Sequence, residues 1–82
     1  MTDKITTMEQ LKAEAKEGLD CFIALNGGCR SSKHIWYDEE ANQFEIINEI
    51  DGSEQCLTSD DILKGEVTNI GLAMKQGALI KY

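Results

Sequence analysis

Between residues 33 and 58, apolar and polar positions alternate over short runs separated by turn-forming residues, which predicts three antiparallel strands joined by two turns. Phe44, Ile46 and Ile50 fall on one side of a strand, while Glu45 and Glu49 fall on the other, the pattern of a sheet with one wet face. Ile47 and Asn48 interrupt it. Either Asn48 lies on the core face, where it needs a hydrogen-bond partner, or a bulge shifts the register there. In the preceding strand Ile35 and Tyr37 share one face and His34 and Trp36 the other, so both faces are partly apolar, as in a central strand or a contact surface. The polar link 38–43 reads as a hairpin loop in which Asn42 takes the left-handed conformation. Asp51-Gly52 reads as a two-residue type I′ turn after Ile50.

The flanking regions switch between periods. Residues 1–5 read as a polar lead-in. Thr6 and Thr7, with Glu9 and Gln10 each three residues on, form a capping-box pattern that opens a helix. Met8, Leu11, Ala15 and Leu19 make its apolar stripe, and Gly18 is its natural stop. Residues 20–25 are apolar on both faces, which predicts an interior strand. Thr58-Ser59-Asp60-Asp61 opens a short helix ending at Gly65. Thr68 or Asn69 opens another, with Ile70, Ala73 and Met74 inward and Gly77 as cap; the apolar tail 78–82 suits an edge strand. The expected architecture is a single α+β domain over residues 1–82. An N-terminal helix and two short C-terminal helices pack on an antiparallel sheet of about four strands.

Composition narrows the function more than the fold. In 82 residues the core is thin. A formal net charge of −7 argues against direct contact with nucleic-acid phosphates and favours a partner with a basic surface. There is no apolar run long enough to span a bilayer and no signal-peptide pattern, so a soluble, cytoplasmic protein without membrane contact is expected. Three irregularly spaced cysteines agree with free thiols in a reducing compartment.

The most chemically suggestive segment is 26–33. Asn26, Gly27, Gly28, Arg30, Ser31, Ser32 and Lys33 combine permissive backbone, hydroxyls and two cations in an otherwise acidic chain, a set able to converge on a phosphate or nucleotide. The P-loop spacing is absent, and an ordinary connection between strands accounts for the same residues. Asp60 and Asp61 read as helix-capping carboxylates rather than metal ligands or acid/base groups. Cys21, Cys29, Cys56 and His34 lack the short spacings of a zinc site, so neither a metal nor another cofactor is expected. Cys29 with His34 has no third group to complete a nucleophilic set, and an enzyme is not expected. The acidic residues Asp38, Glu39, Glu40, Glu45, Glu49, Asp51 and Glu54 gather on the hairpin ends and one sheet face. With Trp36 they make an acidic docking surface, or a solvated face that keeps the protein soluble.

The order DCFIALNGGCRSSKHIWYD, FEIINEIDGSEQCLTSDDIL and TNIGLAMKQGALIKY resembles small uncharacterised proteins carried by bacteriophages, prophages and other mobile elements of gut bacteria. The resemblance covers most of the chain after the first helix and brings no catalytic residue with it. It implies an accessory factor that blocks a host defence component, in the manner of anti-CRISPR proteins, or that sequesters a nucleotide signal. The leading expectation is thus a non-enzymatic acidic inhibitor that acts through contact with a host protein. The alternative is a phosphate- or nucleotide-binding protein that uses residues 26–33, with a homodimer completing the site.

Overall fold

The computed structural model describes residues 3–24, 30–64 and 69–82. In chain order the elements are β1 (Asp3–Lys4), α1 (Met8–Ala15), β2 (Leu19–Ala24), β3 (Arg30–Asp38), β4 (Gln43–Asn48), β5 (Glu54–Leu57), α2 (Ser59–Lys64), α3 (Ile70–Gln76) and β6 (Leu79–Lys81). The α+β class and the three expected helices are present, and the sheet is wider than expected. Its six strands run in the order β1-β6-β2-β3-β4-β5, every neighbouring pair antiparallel.

Two corrections explain the extra width. The N-terminal lead-in is a strand: Asp3 and Lys4 pair with Lys81 and Ile80, and the following Ile5 is buried, its N–H donating to the Leu79 carbonyl. The tail is consequently not an edge, because β6 lies between β1 and β2. A two-residue strand carries too little alternation to be visible in a sequence; only its partner defines it.

Local chemistry sets the helix ends. Thr7 caps α1: its hydroxyl accepts from the Gln10 N–H at 3.2 Å, and the Gln10 side chain accepts from the Thr7 N–H at 3.2 Å, a complete capping box. Gly18, at φ +90°, turns the chain directly into β2, so Leu19 belongs to the strand rather than to the helical stripe. Thr58 and Asp61 make the equivalent reciprocal pair at the start of α2. Gly77 closes α3 in the left-handed conformation. The expected stop at Gly65 and the alternative cap at Thr68 lie outside the described residues.

All three helices pack on one face of the sheet, and the core lies between the two layers. Leu11 and Ala15 of α1, Ile62 of α2, and Ile70, Ala73 and Met74 of α3 meet Leu19, Cys21, Ile23, Ile35, Phe44, Ile46, Leu57 and Leu79 of the sheet. Gly71 is buried at the crossing of α2 and α3, where a Cβ would collide with the Ile62 carbonyl. Burial of Cys21 in this layer pushes its thiol up to about 12.

The second hairpin differs from the expected type I′ turn. That turn needs positive φ at both central residues, and here Gly52 (φ +75°) has it while Asp51 does not. Instead a four-residue loop, 49–52, is closed by Asn48 N–H to the Ser53 carbonyl (2.8 Å) and Gly52 N–H to the Asn48 carbonyl (2.7 Å). Asn48 finds its partner locally, its side-chain oxygen accepting from the Ile50 N–H at 3.0 Å. Ile50 is carried to the loop tip, 71% exposed, rather than into the core. The first hairpin forms as expected, with Asn42 at φ +53° and accepting from the Tyr37 hydroxyl at 2.8 Å.

Candidate functional site

Since every described helix covers the same side, the opposite side of the sheet is bare of described elements. Strand alternation that buries Cys21, Ile23, Ile35 and Ile46 under the helices sends Phe22, His34, Trp36 and Ile47 to that bare face. Ile80 stands beside Phe22 in the register, and the Tyr82 ring lies 5.0 Å from the Phe22 ring. A wet sheet face is ordinarily polar. This one holds Phe22, Ile47 and Ile80 half-buried, with Trp36 and Tyr82 exposed at 42% and 66%.

Carboxylates surround those rings. Glu45 is the cross-strand partner of Trp36 and of Cys56, and Glu54 is the partner of Ile47. Trp36 lies over Gly18, close enough that a Cβ at that glycine would strike the indole. Beside it an open hollow of about 280 Å³ is lined by Trp36, Tyr37, Asp38, Gln43, Glu45 and Cys56. The combination of an indole with carboxylates at one hollow suits a cationic side chain, through ring-face attraction and charge.

A second cluster occupies the middle of the bare face. Asp20 and His34 are direct partners across β2 and β3, with Asp20 Oδ1 2.5 Å from His34 Nδ1. The Glu49 N–H donates to the Ser32 carbonyl, which continues the β3 pairing by one residue past β4, and its carboxylate reaches the same spot. One ligand atom each from Asp20, His34 and Glu49 lies within 4.8 Å of the others. The His34 ring is braced edge-on by Trp36 at 5.1 Å. The hydrogen bond to His34 holds the Asp20 carboxyl below its usual value, with desolvation opposing it.

The residues singled out for anion binding are divided by the fold. Asn26, Gly27 and Gly28 lie outside the described residues. Arg30, Ser31, Ser32 and Lys33 belong to β3 rather than to a loop. Ser32 takes part in the bare face, its hydroxyl 2.7 Å from that of Tyr82, whereas Lys33 pairs with the buried Cys21. A strand sends neighbouring side chains to opposite faces, so Ser32 and Lys33 do not converge on one ligand.

The acidic set is likewise divided. Glu45 and Glu49 belong to the bare face with Trp36, and Asp38 borders it while accepting from the Glu40 and Ala41 N–H groups. Glu39 and Glu40 occupy the first hairpin turn, and Glu39 pairs instead with Lys16 at the end of α1, at 2.6 Å. Asp20, Phe22, Ile80 and Tyr82 were not expected at a site. Their signal lay in the pairing of distant strands rather than in any local motif.

The fold and this surface define a small α+β domain with one helix-clad and one bare, aromatic and acidic sheet face. No protein-family model, curated protein or solved structure matches the chain. Among the described residues no helix is long and apolar enough to cross a membrane.

Proposed function

We propose that this is a non-enzymatic, cytoplasmic binding protein that docks a basic protein surface against its bare sheet face. The observation that carries the reading is the composition of that face: Phe22, Trp36, Ile80 and Tyr82 stand among Asp20, Glu45, Glu49 and Glu54. Aromatic anchors inside a charged surround are what recognition surfaces use, the rings supplying affinity and the charges steering and selectivity. With a net charge of −7, self-docking through this face would set like charges against one another, so a cationic partner fits better than a second copy. The hollow beside Trp36 accepts an arginine or lysine from that partner. Following the resemblance to mobile-element proteins, a nucleic-acid-directed host defence protein is the first class of basic partner to test.

The test is affinity capture from host lysate by the purified protein at low and moderate salt, with retained proteins and heat-released small molecules both identified. The reading expects a basic protein that is held at low salt and weakened at moderate salt. A bound nucleotide with no protein partner would overturn it.

A further inference from the structure

The trio at the centre of the bare face has a chemistry of its own, independent of any docked protein. We infer that Asp20, His34 and Glu49 form a binding site for a divalent transition-metal ion of the zinc type. Three observations carry this. The three donors come from different segments, and the sheet brings one ligand atom of each within 4.8 Å of the others. A four-coordinate zinc ion, at 2.0–2.2 Å from each donor, holds its ligands about 3.4 Å apart, so the wider-spaced donors, within 4.8 Å, close by up to about 1.4 Å and Asp20 and His34, 2.5 Å apart, open by about 0.9 Å.

The backbone beneath the donors is fixed. Asp20 and His34 are paired by the β2–β3 register, and Glu49 is tied by its N–H to the Ser32 carbonyl at 3.1 Å. The ring of His34 is oriented edge-on by Trp36 at 5.1 Å, while its 2.5 Å hydrogen bond to Asp20 gives way as both groups turn to the ion.

Charge supplies the third reason. Two carboxylates beside one imidazole carry more negative charge than the imidazole offsets in either protonation state, and a dication balances them. Zinc accepts imidazole and carboxylate donors alike, and these three protein donors leave a further coordination position. That position opens to solvent on the bare face, where water or a donor from another molecule completes the shell.

The experiment uses chelator-treated full-length protein titrated with Zn²⁺ by calorimetry, with Co²⁺ as a spectroscopic substitute and thermal unfolding as a second readout. One ion per chain is expected to bind saturably and to raise the unfolding midpoint, because an ion held only by the folded state stabilises it. The Co²⁺ spectrum is expected to lack sulfur-to-metal charge-transfer bands. His34→Ala is expected to weaken binding by at least about tenfold and to remove the thermal shift. Glu49→Gln, in a loop, is expected to weaken it comparably with the fold intact, which keeps the test decisive should His34→Ala fold poorly. Absence of saturable binding, or binding that survives both variants, would overturn the assignment. So would binding that survives them and disappears on Cys56→Ser, since that would place the ion on a thiol.

Discussion

The clad and bare faces of the sheet are built on the same strands and the same ladder of hydrogen bonds, yet they bear opposite relations to the rest of the chain. Under the helices, Leu19, Ile35, Phe44, Ile62, Ile70 and Leu79 are fully or almost fully buried, and no described polar side chain is buried among them. On the other side Trp36 and Tyr82 remain open to water, and Trp36 stands beside Glu45. One face therefore accounts for the stability of a small domain. The other keeps large rings half-exposed, so they contribute less to it, and exposed apolar rings of this kind suit contact with another molecule.

The sharpest way to test that division is to remove a ring from each side. Phe44→Ala empties the middle of the clad face and is expected to cost about 3–5 kcal/mol, enough to unfold much of so small a protein, as read by urea denaturation. Trp36→Ala on the bare face removes a half-exposed ring over Gly18 and is expected to cost about 2 kcal/mol, clearly less than the loss at Phe44. Equal losses would end the distinction between the faces.

Gly71→Ala sharpens the same contrast within the helical layer. An alanine ordinarily stabilises a helix interior by roughly 0.5–1 kcal/mol. At this crossing the Cβ meets the Ile62 carbonyl, so the expected result is a net loss of roughly 1–3 kcal/mol in the same denaturation experiment.

The two described cysteines report the faces chemically. Cys21, buried in the clad layer with its thiol pushed up to about 12, is expected to resist alkylation at pH 8 until the protein unfolds. Cys56, exposed beside Glu45, is expected to react in the native state, as mass spectrometry of labelled peptides would show.

The smallest expected effect concerns pH. Hydrogen bonds from Thr58 hold Asp61 below 3.8, the ordinary aspartate value, so its contribution is complete above that value and is lost as pH falls through the lower folded-state value. Asp61→Asn is expected to flatten the stability profile slightly below pH 3.8, with urea midpoints measured across the acid range. An unchanged profile would show that the cap at α2 does not depend on charge.

Much of the fold was legible because its signals are local. The Thr7–Gln10 box, the Thr58–Asp61 pair, the left-handed Asn42 and Gly77, and the alternation from Ile35 to Ile46 each depend on residues a few positions apart. What escaped the sequence depends on distant partners. β1 exists through β6 from the other end of the chain, and the second hairpin is decided by backbone hydrogen bonds between Asn48 and Ser53 rather than by the Asp51-Gly52 pair. The site was less legible for the same reason. Trp36, Glu45 and Glu49 stood out by residue type, but Asp20 meets His34 only through strand register, 14 positions apart.

The most direct test of the division is to repeat the lysate capture with a Trp36→Ala, Glu45→Lys double variant and with Glu9→Lys on the exposed surface of α1 as the control. The double variant is expected to stay folded in urea denaturation and to lose the basic partner, while Glu9→Lys retains it. Undiminished capture by the folded double variant, with loss in the helix variant, would place recognition on the clad side and overturn the assignment of docking to the bare face.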